Sequence, residues 1–399
     1  MPRAIVLGAG MVGSVMAADL AGDDDFDVTI ADADERALEA AAARAGGGIA
    51  TICVDLSDPS TVARTVGPFD IVLGALASRI GFQTLRAVIE AGRNFCDICF
   101  MPENALELDD LARSRGVTAV VDCGVAPGMS NLLAGHEAAR MDRCERIEIY
   151  VGGLPVQRRW PFQYKAAFSP HDVIEEYTRP ARFVEHGRPV TREALSEPEL
   201  MDFPGVGTLE AFNTDGLRSL ADTLDVPFMI ERTLRYPGHI ELMRAFRATG
   251  LFDKDPIQVG PVSVRPIDVT SALMFPKWSY EPGEADLTVM RIIVEGVKDG
   301  QATRCTWDLL DELDPATGWT SMARTTAFPC AIIARLIASG RLDRPGVVPP
   351  ELLGPDADLV EHVISAQMDR GVRYERREEP IKDSEASASE PPPETGTTA

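Results

Sequence analysis

The chain has 399 residues, of which 45% are apolar and 25% charged, and its 39 basic and 62 acidic residues give a formal net charge of −23. This length exceeds what one hydrophobic core normally serves, so we expect two packed units. The negative charge disfavours a nucleic-acid partner. No apolar run approaches the roughly 18 residues of a membrane helix, so no membrane partner is expected.

The chain's compartment is predicted from its opening residues and its cysteines. "MPRAIVLGAG" reads as a strand from the fourth residue, which leaves no room for a signal peptide. Seven scattered cysteines fit reduced thiols, so we expect a cytoplasmic protein. Cys96 and Cys99 have the spacing of a redox or zinc pair, but no second Cys/His pair stands at zinc-ligand spacing. We expect no metal, and interpret the pair as small apolar residues ending a buried strand, with a redox role left open.

The first 150 residues alternate strand and helix patterns. The predicted strands are "RAIVLGAG", "FDVTIAD", "GIATICVD", "PFDIVLGAL", "NFCDI" and "VTAVVDCG". Helical patterns lie between them, and the third is predicted to begin with Asp58 as cap and Pro59 in its first turn. Strands and helices in alternation indicate right-handed βαβ crossovers and a mainly parallel, doubly wound α/β sheet.

The pattern changes after about Glu145. Segments such as "ERIEIYVGGLP" and "DLTVMRIIVEGVKDGQATRCTWDLL" show longer strand alternation with Gly or Pro turns, which predicts a second, mixed or antiparallel sheet. "VKDGQ" carries an Asp-Gly hairpin signal. "SMARTTAFPCAIIARLIASG" predicts a helix interrupted at Pro329, and residues 382–399, rich in Ser, Pro and Glu, predict a disordered tail.

A dinucleotide site is predicted where the first strand meets the first helix. Gly8, Gly10 and Gly13 form G-x-G-x-x-G at that junction. Glycines there permit a tight turn, approach of a pyrophosphate to the backbone, and close helix–strand packing. Asp32, 19 positions beyond Gly13, ends the second strand, where a carboxylate binds the adenosine ribose. No arginine directly follows Asp32, which favours NAD over NADP; a glycine turn without a ligand is the alternative.

Further cofactor contacts are expected at the carboxyl ends of neighbouring strands, where ligands of doubly wound sheets bind. They are Met11, Val12, Asp55, Ala75 and Leu76. Asp97 and Asp122 end the fifth and sixth strands and point to the nicotinamide half of the crevice. Asp122 is a candidate acid or base, or an orienter of a substrate amine. Equally, it can cap backbone amides of the glycine loop that follows. Cys123 is interpreted as a packing residue.

The chain resembles the saccharopine dehydrogenase family, including its lysine 6-dehydrogenase branch. The resemblance is carried by "GAGMVG", "DCGVAPGMSNLLAGH", "SPHDVIEEYTRPARFVEHGRPV", "EAFNTDGLRSL", "TLRYPGHIELMR" and "TSMARTTAFPCAIIARLIASGRL". It implies a Rossmann domain at 1–130, an inserted α+β substrate and dimerisation domain at 131–318, and a helical segment at 319–353 that returns to the Rossmann domain. It further implies that NAD(P) oxidises a CH–NH bond of a lysine-derived amino acid, with hydrolysis of the resulting imine.

The resemblance also directs attention to two candidate substrate-binding segments. In "TLRYPGHIELM", Arg235 is expected to bind a substrate carboxylate and His239 to exchange protons. The alternatives are that Arg235 pairs with a structural carboxylate and that His239 caps the following helix. In "AFNTDG", Asn213 and Thr214 are candidate substrate contacts.

Other cationic residues are weaker candidates. Arg158, Arg159 and Lys165 are explained as well by a solvated strand edge. Arg324, with Thr325 and Thr326, gains interest only through the resemblance.

The leading hypothesis is therefore an NAD-dependent, saccharopine dehydrogenase-like oxidoreductase. Lysine 6-dehydrogenase chemistry, reductive condensation in polyamine biosynthesis, and a non-catalytic dinucleotide-binding module remain open. A homodimer is expected, because the long sheet of the inserted domain would otherwise expose an edge.

Overall fold

A computed structural model of the protein describes residues 1–22, 26–281 and 283–382. The first part alternates strands and helices as the sequence patterns predict. Its strands are β1 (Arg3–Leu7), β2 (Asp27–Asp32), β3 (Ala50–Cys53), β4 (Ile71–Gly74), β5 (Asn94–Asp97) and β6 (Thr118–Val120). Its helices are α1 (Met11–Ala21), α2 (Glu35–Arg44), α3 (Pro59–Val66), α4 (Ser78–Glu90) and α5 (Asp109–Arg115), with a short 3-10 helix at Ala105–Leu108. Asp58 caps α3 through its side chain, and Pro59 is the first residue of that helix, as predicted.

Longer strands dominate the second part. Its strands are β7 (Arg143–Pro155), β8 (Ala181–Glu185), β9 (Arg188–Arg192), β10 (Glu199–Phe203), β11 (Gly207–Asn213), β12 (Phe228–Arg235), β13 (Ile257–Val259), β14 (Val262–Val264), β15 (Asp286–Lys298) and β16 (Gln301–Glu312). Its helices are α6 (Met129–Ala139), α7 (Pro170–Thr178), α8 (Leu220–Thr223), α9 (His239–Ala248) and α10 (Pro266–Trp278). The predicted hairpin turn is confirmed, since Asp299 and Gly300 join β15 to β16 with positive φ angles of 51° and 75°.

The final part of the described chain contains α11 (Ser321–Ala338), β17 (Gly346–Val348), a 3-10 helix at Pro350–Leu352, α12 (Ala357–Asp369) and β18 (Tyr374–Pro380). Pro329 does not interrupt α11, contrary to the sequence prediction. Most of this helix is buried, so packing on several sides offsets the hydrogen bond that the proline removes. The predicted tail lies outside the described residues, except for Lys382.

Two large sheets organise the molecule. The first is parallel, with the order β17-β6-β5-β4-β1-β2-β3, and its strand order reverses between β1 and β4. The second has the order β10-β11-β12-β7-β15-β16-β18, with β8 and β9 attached to β12. It is mixed, because β12 runs parallel to β7 whereas the other pairs are antiparallel. The doubly wound α/β fold with a second α+β unit is thereby confirmed.

The chain crosses between the two units more than once. Helix α11 packs against α1, β4 and β5, and β17 pairs with β6 in the first sheet. The chain then passes through α12 and returns in β18 to the second sheet, beside β16. The boundaries 1–130, 131–318 and 319–353 remain a prediction. In the described helices, none has both the length and the apolar character that crossing a bilayer would require.

Candidate active site

A cavity of about 440 Å³ lies where the carboxyl edge of the parallel sheet faces the second unit. From the first unit, the glycine loop before α1 and the segments following β4, β5 and β6 line it. From the second unit, it is lined by side chains of α7, of β12 and of the loop after β11. Thr326 of α11 completes the wall, whereas Thr325 instead donates to the backbone of its own helix. The position matches the switch point at which doubly wound sheets bind ligands.

The glycine loop has the shape that a dinucleotide requires. A Cβ on Gly13 would lie 2.0 Å from Gly8 O, and one on Gly8 would lie 2.4 Å from Ala75 O, so both positions demand glycine. Gly10 differs, because a Cβ there would meet no protein atom within 4 Å. No side chain caps the N-terminus of α1. An open backbone surface at an uncapped helix start fits a pyrophosphate.

Some of the other predicted cofactor residues line the cavity, and others lie outside it. Met11, Val12, Ala75 and Leu76 line the cavity together with Gly10 and Gly13. Asp32 lies at the end of β2, where it accepts hydrogen bonds from Ala9 N at 2.7 Å and Asp34 N at 2.9 Å. It thus fixes the glycine loop against β2. Asp55 is exposed, accepts a hydrogen bond from Ser57 N, and does not line the cavity.

Arg235 lies at the centre of a buried hydrogen-bond chain. It lines the cavity and is only 2% exposed. Its Nη2 donates to Glu176 Oε2 at 3.2 Å, and its Nε donates to the Tyr177 hydroxyl at 3.1 Å. The Tyr177 hydroxyl lies 2.9 Å from His239 Nε2, and His239 Nδ1 lies 2.8 Å from Phe162 O. One tautomer satisfies the chain, with His239 donating through Nδ1 and accepting through Nε2.

His239 does not have the character predicted for a proton-exchanging residue. Burial, reinforced by the charge of Arg235, lowers the pKa of His239 to about 3. The ring is therefore neutral near pH 7, and it does not line the cavity. The alternative of a helix cap is also wrong, because α9 begins at His239 itself and its side chain bonds elsewhere. His239 instead holds Tyr177, which holds Arg235.

Asp122 is engaged with Arg218 rather than facing the cavity. The two side chains are 5% and 4% exposed, and Arg218 Nε and Nη2 donate to the carboxylate at 3.2 and 3.3 Å. Arg218 Nη1 also donates to Met101 O at 2.7 Å. This placement does not support the predicted acid–base role. It makes Asp122 part of a buried contact between the two units.

The second predicted substrate loop places its two candidate residues differently. Thr214 lines the cavity, and its Oγ1 lies 2.8 Å from both Glu231 Oε2 and Thr233 Oγ1. Asn213 is fully buried and points away, since its Nδ2 donates to Ser196 Oγ and Glu197 Oε2 at 2.9 Å. A direct substrate contact is therefore supported for Thr214 and not for Asn213.

Three cavity carboxyls were missed by the sequence reasoning: Asp172, Glu176 and Glu231. Burial raises the pKa of Glu176 to about 7 and that of Glu231 to about 8. Asp172 accepts a hydrogen bond from Ser78 Oγ at 2.6 Å. A signal for Glu231 was present, because residues 231, 233 and 235 alternate along β12 and share one face.

The weaker cationic candidates lie outside the cavity. Arg158 and Arg159 are exposed, but Lys165 is buried, donates to Ser279 O and pairs with Glu284, so the solvated-edge explanation is wrong for Lys165. Arg324 donates to Glu312 O and Arg370 O.

The seven cysteines, all within the described residues, form no disulfide. Cys99 lines the cavity, but burial raises the pKa of its thiol and that of Cys96, which disfavours a reactive thiolate. The described residues contain no group of His, Cys, Asp or Glu arranged to hold a metal ion.

Comparison with known proteins identifies both units. The family model for the saccharopine dehydrogenase NADP binding domain matches residues 4–120, and that for the saccharopine dehydrogenase C-terminal domain matches residues 124–372. In the solved structures, apo saccharopine dehydrogenase (L-Glu forming) from Saccharomyces cerevisiae superposes with a TM-score of 0.78 at 19% identity. The superposition covers 95% of this chain and 100% of the yeast chain. This likeness supports the fold.

Curated relatives are similar over most of their lengths. The NADP(+)-dependent, L-glutamate-forming saccharopine dehydrogenase of Schizosaccharomyces pombe is 24% identical over 94% of this chain and 98% of the relative. Carboxyaminopropylagmatine dehydrogenase of Synechocystis is 22% identical over 90% of this chain and 95% of the relative. Since the two family models together match most of the chain, the protein belongs to the saccharopine dehydrogenase family of dinucleotide-dependent oxidoreductases.

Proposed function

We propose that the protein oxidises the CH–NH bond of a lysine-derived amino acid, with water hydrolysing the imine that results. The observation that carries this proposal is a cavity that joins the glycine loop to Arg235 and three carboxyl groups. When bound, the dinucleotide supplies a hydride acceptor. The relatives named saccharopine dehydrogenase support the choice of a secondary amine as substrate.

In this proposal Arg235 binds the α-carboxylate of the substrate. Its guanidinium is presented in the cavity by a buried network that ends at the Phe162 carbonyl, so little side-chain entropy is lost on binding. Tyr177 and His239 act through Arg235 and are positioning residues.

Glu176 is the proposed proton acceptor for the substrate amine. A secondary ammonium must lose its proton before hydride leaves, which requires a base near the reacting nitrogen. Glu176 lines the cavity, and its pKa of about 7 suits proton transfer near neutral pH. Asp122 and His239, the earlier candidates, do not line the cavity.

We propose NAD as the preferred cofactor. Asp32, Asp34 and Glu35 place three acidic side chains at the end of β2, where a 2′-phosphate would meet repulsion. The names of the family model and of the yeast relatives point instead to NADP. We give more weight to the residues of this chain, because discrimination between the cofactors depends on that local charge. Fluorescence titration with NADH and NADPH tests this choice, and tighter binding of NADPH would overturn it.

A cytoplasmic homodimer completes the proposal. Seven free cysteines support a reducing compartment. The edge strand β10 exposes Leu200, which supports association of two copies. Sedimentation of the purified protein at micromolar concentration tests the dimer, and a single monomeric species would contradict it.

The decisive experiment follows dinucleotide reduction by its absorbance at alkaline pH, with saccharopine and lysine as parallel substrates. Turnover of saccharopine would establish secondary-amine oxidation, and turnover of lysine alone would establish ε-deamination. Dinucleotide binding with no turnover of any amine would instead favour the non-catalytic alternative. The mass of the product distinguishes the two reactions.

A further inference from the structure

The charged side chains that line the cavity indicate a narrower class of substrate than membership of the family does. Among the described residues that line it, Asp172, Glu176 and Glu231 are acidic, and Arg235 is the one lysine or arginine. Arg235 is already paired with Glu176. Saccharopine carries more carboxylates than amines, so most of its carboxylates would face like charge in this cavity once the cavity carboxyls are ionised.

Glu231 has no cationic partner in the described part of the chain. It is 4% exposed, lines the cavity and accepts a hydrogen bond from Thr214. Close packing fixes its position, because a Cβ on Gly216 would lie 2.2 Å from the carboxyl carbon of Glu231. A buried carboxyl held rigidly at a cavity wall without a cation is costly as an anion, unless a ligand supplies the positive charge.

The groups around Glu231 are consistent with an external cation. Glu176 faces it from α7, and Asp215 from the loop after β11, and both are acidic. Asp215 is itself neutralised by Arg182 at 2.8 Å. Arg235 lies four residues further along the same strand and on the same face, so one wall presents a carboxylate-binding group beside a cation-binding group.

We propose that the cavity selects an amino acid with one carboxylate and a second, cationic nitrogen, and that Glu231 binds this nitrogen as an ammonium or guanidinium group. The proposal rests on the proposed function for the identity of the site, and it deepens that function by naming the substrate class. Arg235 binds the carboxylate, and a substrate whose far end is a carboxylate is disfavoured by repulsion when Glu231 is ionised.

A set of ligands with the same six-carbon backbone tests this recognition without requiring turnover. L-lysine ends in an ammonium, L-norleucine in a methyl group and L-2-aminoadipate in a carboxylate. Calorimetric titration at about pH 9, in the presence of reduced dinucleotide, which cannot accept a hydride, should give affinities in the order lysine, norleucine, aminoadipate. Lysine should be favoured over aminoadipate by about tenfold or more. Aminoadipate binding as tightly as lysine would overturn the proposal.

The variant Glu231→Gln removes the charge and preserves the shape. This variant should bind lysine and norleucine with about equal affinity, while its affinity for NADH stays unchanged. Glu107→Gln, the same change at an exposed position, is the matched control and should keep the preference. Retention of the lysine preference by a folded Glu231→Gln protein would also overturn the proposal. Should that variant not fold, the ligand series on the wild-type protein decides.

Proton release gives a second readout. Because the pKa of Glu231 is raised to about 8, the carboxyl is mostly protonated at pH 7 and must release its proton when it pairs with an ammonium. Lysine affinity should therefore rise as pH increases through about 8, and the heat of binding at pH 7 should depend on the buffer. Glu176 also titrates nearby, so the difference between wild type and Glu231→Gln isolates the part due to Glu231.

Turnover distinguishes failure of this inference from failure of the proposed function. Lysine-selective binding without oxidation of any amine would overturn the oxidation proposal and leave the recognition intact. Oxidation of saccharopine without a preference for cationic ligands would overturn the recognition proposal and leave the oxidation proposal intact.

Discussion

At the residue scale, Arg235 shows how one buried cation can be kept available to a ligand. A guanidinium that is 2% exposed needs partners for its N–H groups, and Glu176, Tyr177 and its own strand supply them. Tyr164 lies under the guanidinium, which is 4.5 Å from the ring centre. Together these contacts hold the guanidinium in one position at the cavity wall.

Replacing Arg235 with alanine should therefore weaken substrate binding by about 2 kcal/mol or more, a rise of about 30-fold in KM. Affinity for the dinucleotide should stay within about twofold, because the glycine loop lies on the other wall. Steady-state kinetics and NADH titration measure the two quantities. Arg158→Ala is the control, since Arg158 is an exposed cation that stacks on the neighbouring Tyr236. An unchanged KM in Arg235→Ala would contradict the carboxylate-binding role.

Glu176→Gln should lower kcat by about 100-fold or more if Glu176 accepts the amine proton. A base must be deprotonated, so wild-type kcat/KM should rise as pH increases through about 7. The part of the rise near pH 7 should be absent from the variant, while the part near pH 8 that is due to Glu231 should remain. His239, whose pKa is about 3, should contribute no inflection between pH 5 and pH 8. A pH–rate profile of the Glu176→Gln protein that still rises through pH 7 would assign the proton transfer to another group.

At the scale of elements, the turn from β1 into α1 separates two roles of glycine. Gly13 and Gly8 are required by contacts within the protein, whereas Gly10 faces only the cavity. The sequence motif alone does not distinguish these roles, because all three positions match the same pattern.

Gly10→Ala should therefore weaken cofactor binding, whereas Gly13→Ala should lower stability. Gly10 has a φ of −70°, which alanine adopts freely, so its variant should unfold like wild type but bind NADH about tenfold more weakly. Gly13→Ala forces a Cβ against Gly8 O and should lower the free energy of unfolding by about 1–3 kcal/mol. Denaturant titration measures the free energy of unfolding of each variant, and NADH fluorescence measures its cofactor affinity. Equal NADH affinity for Gly10→Ala and wild type would indicate that the pyrophosphate lies elsewhere.

Sequence patterns predicted the strands and helices whose local hydrophobic pattern matches their burial in the folded protein. The six strands of the first unit are apolar and bounded by helices, and all of them were predicted. Strand β18 was missed because "YERREEP" is charged and exposed, and it becomes a strand only by pairing with β16. Strand β17, with three residues, is too short to show periodicity.

The site was predicted less completely than the fold. The glycine loop and Arg235 belong to recognisable motifs, and both line the cavity. Asp122 looked available at a strand end, but its partner Arg218 lies 96 residues away and no local pattern reveals that pairing. Glu231 and Glu176 reach the cavity through tertiary packing of a strand and a helix, and burial, which sets their pKa values, is not a property of local sequence.

At the scale of the whole molecule, the buried Asp122–Arg218 pair connects the end of the parallel sheet to the second unit. Arg218→Met should lower the free energy of unfolding by about 3–5 kcal/mol, because Asp122 is left buried without its partner. The double variant with Asp122→Asn should lose less than the sum of the two single variants. Chemical denaturation measures the free energy of unfolding of the wild type, the two single variants and the double variant. Additive single effects would mean that the pair makes no coupled contribution.

The repeated crossing of the chain between the two sheets bears on how the protein is made. The parallel sheet receives its last strand at residues 346–348, and the mixed sheet receives β18 at residues 374–380. Both sheets therefore stay open at one edge while most of the described chain is being translated. During synthesis, the unpaired edges of β6 and β16 are available to other nascent chains or to chaperones, and a protein truncated before β17 would retain both edges.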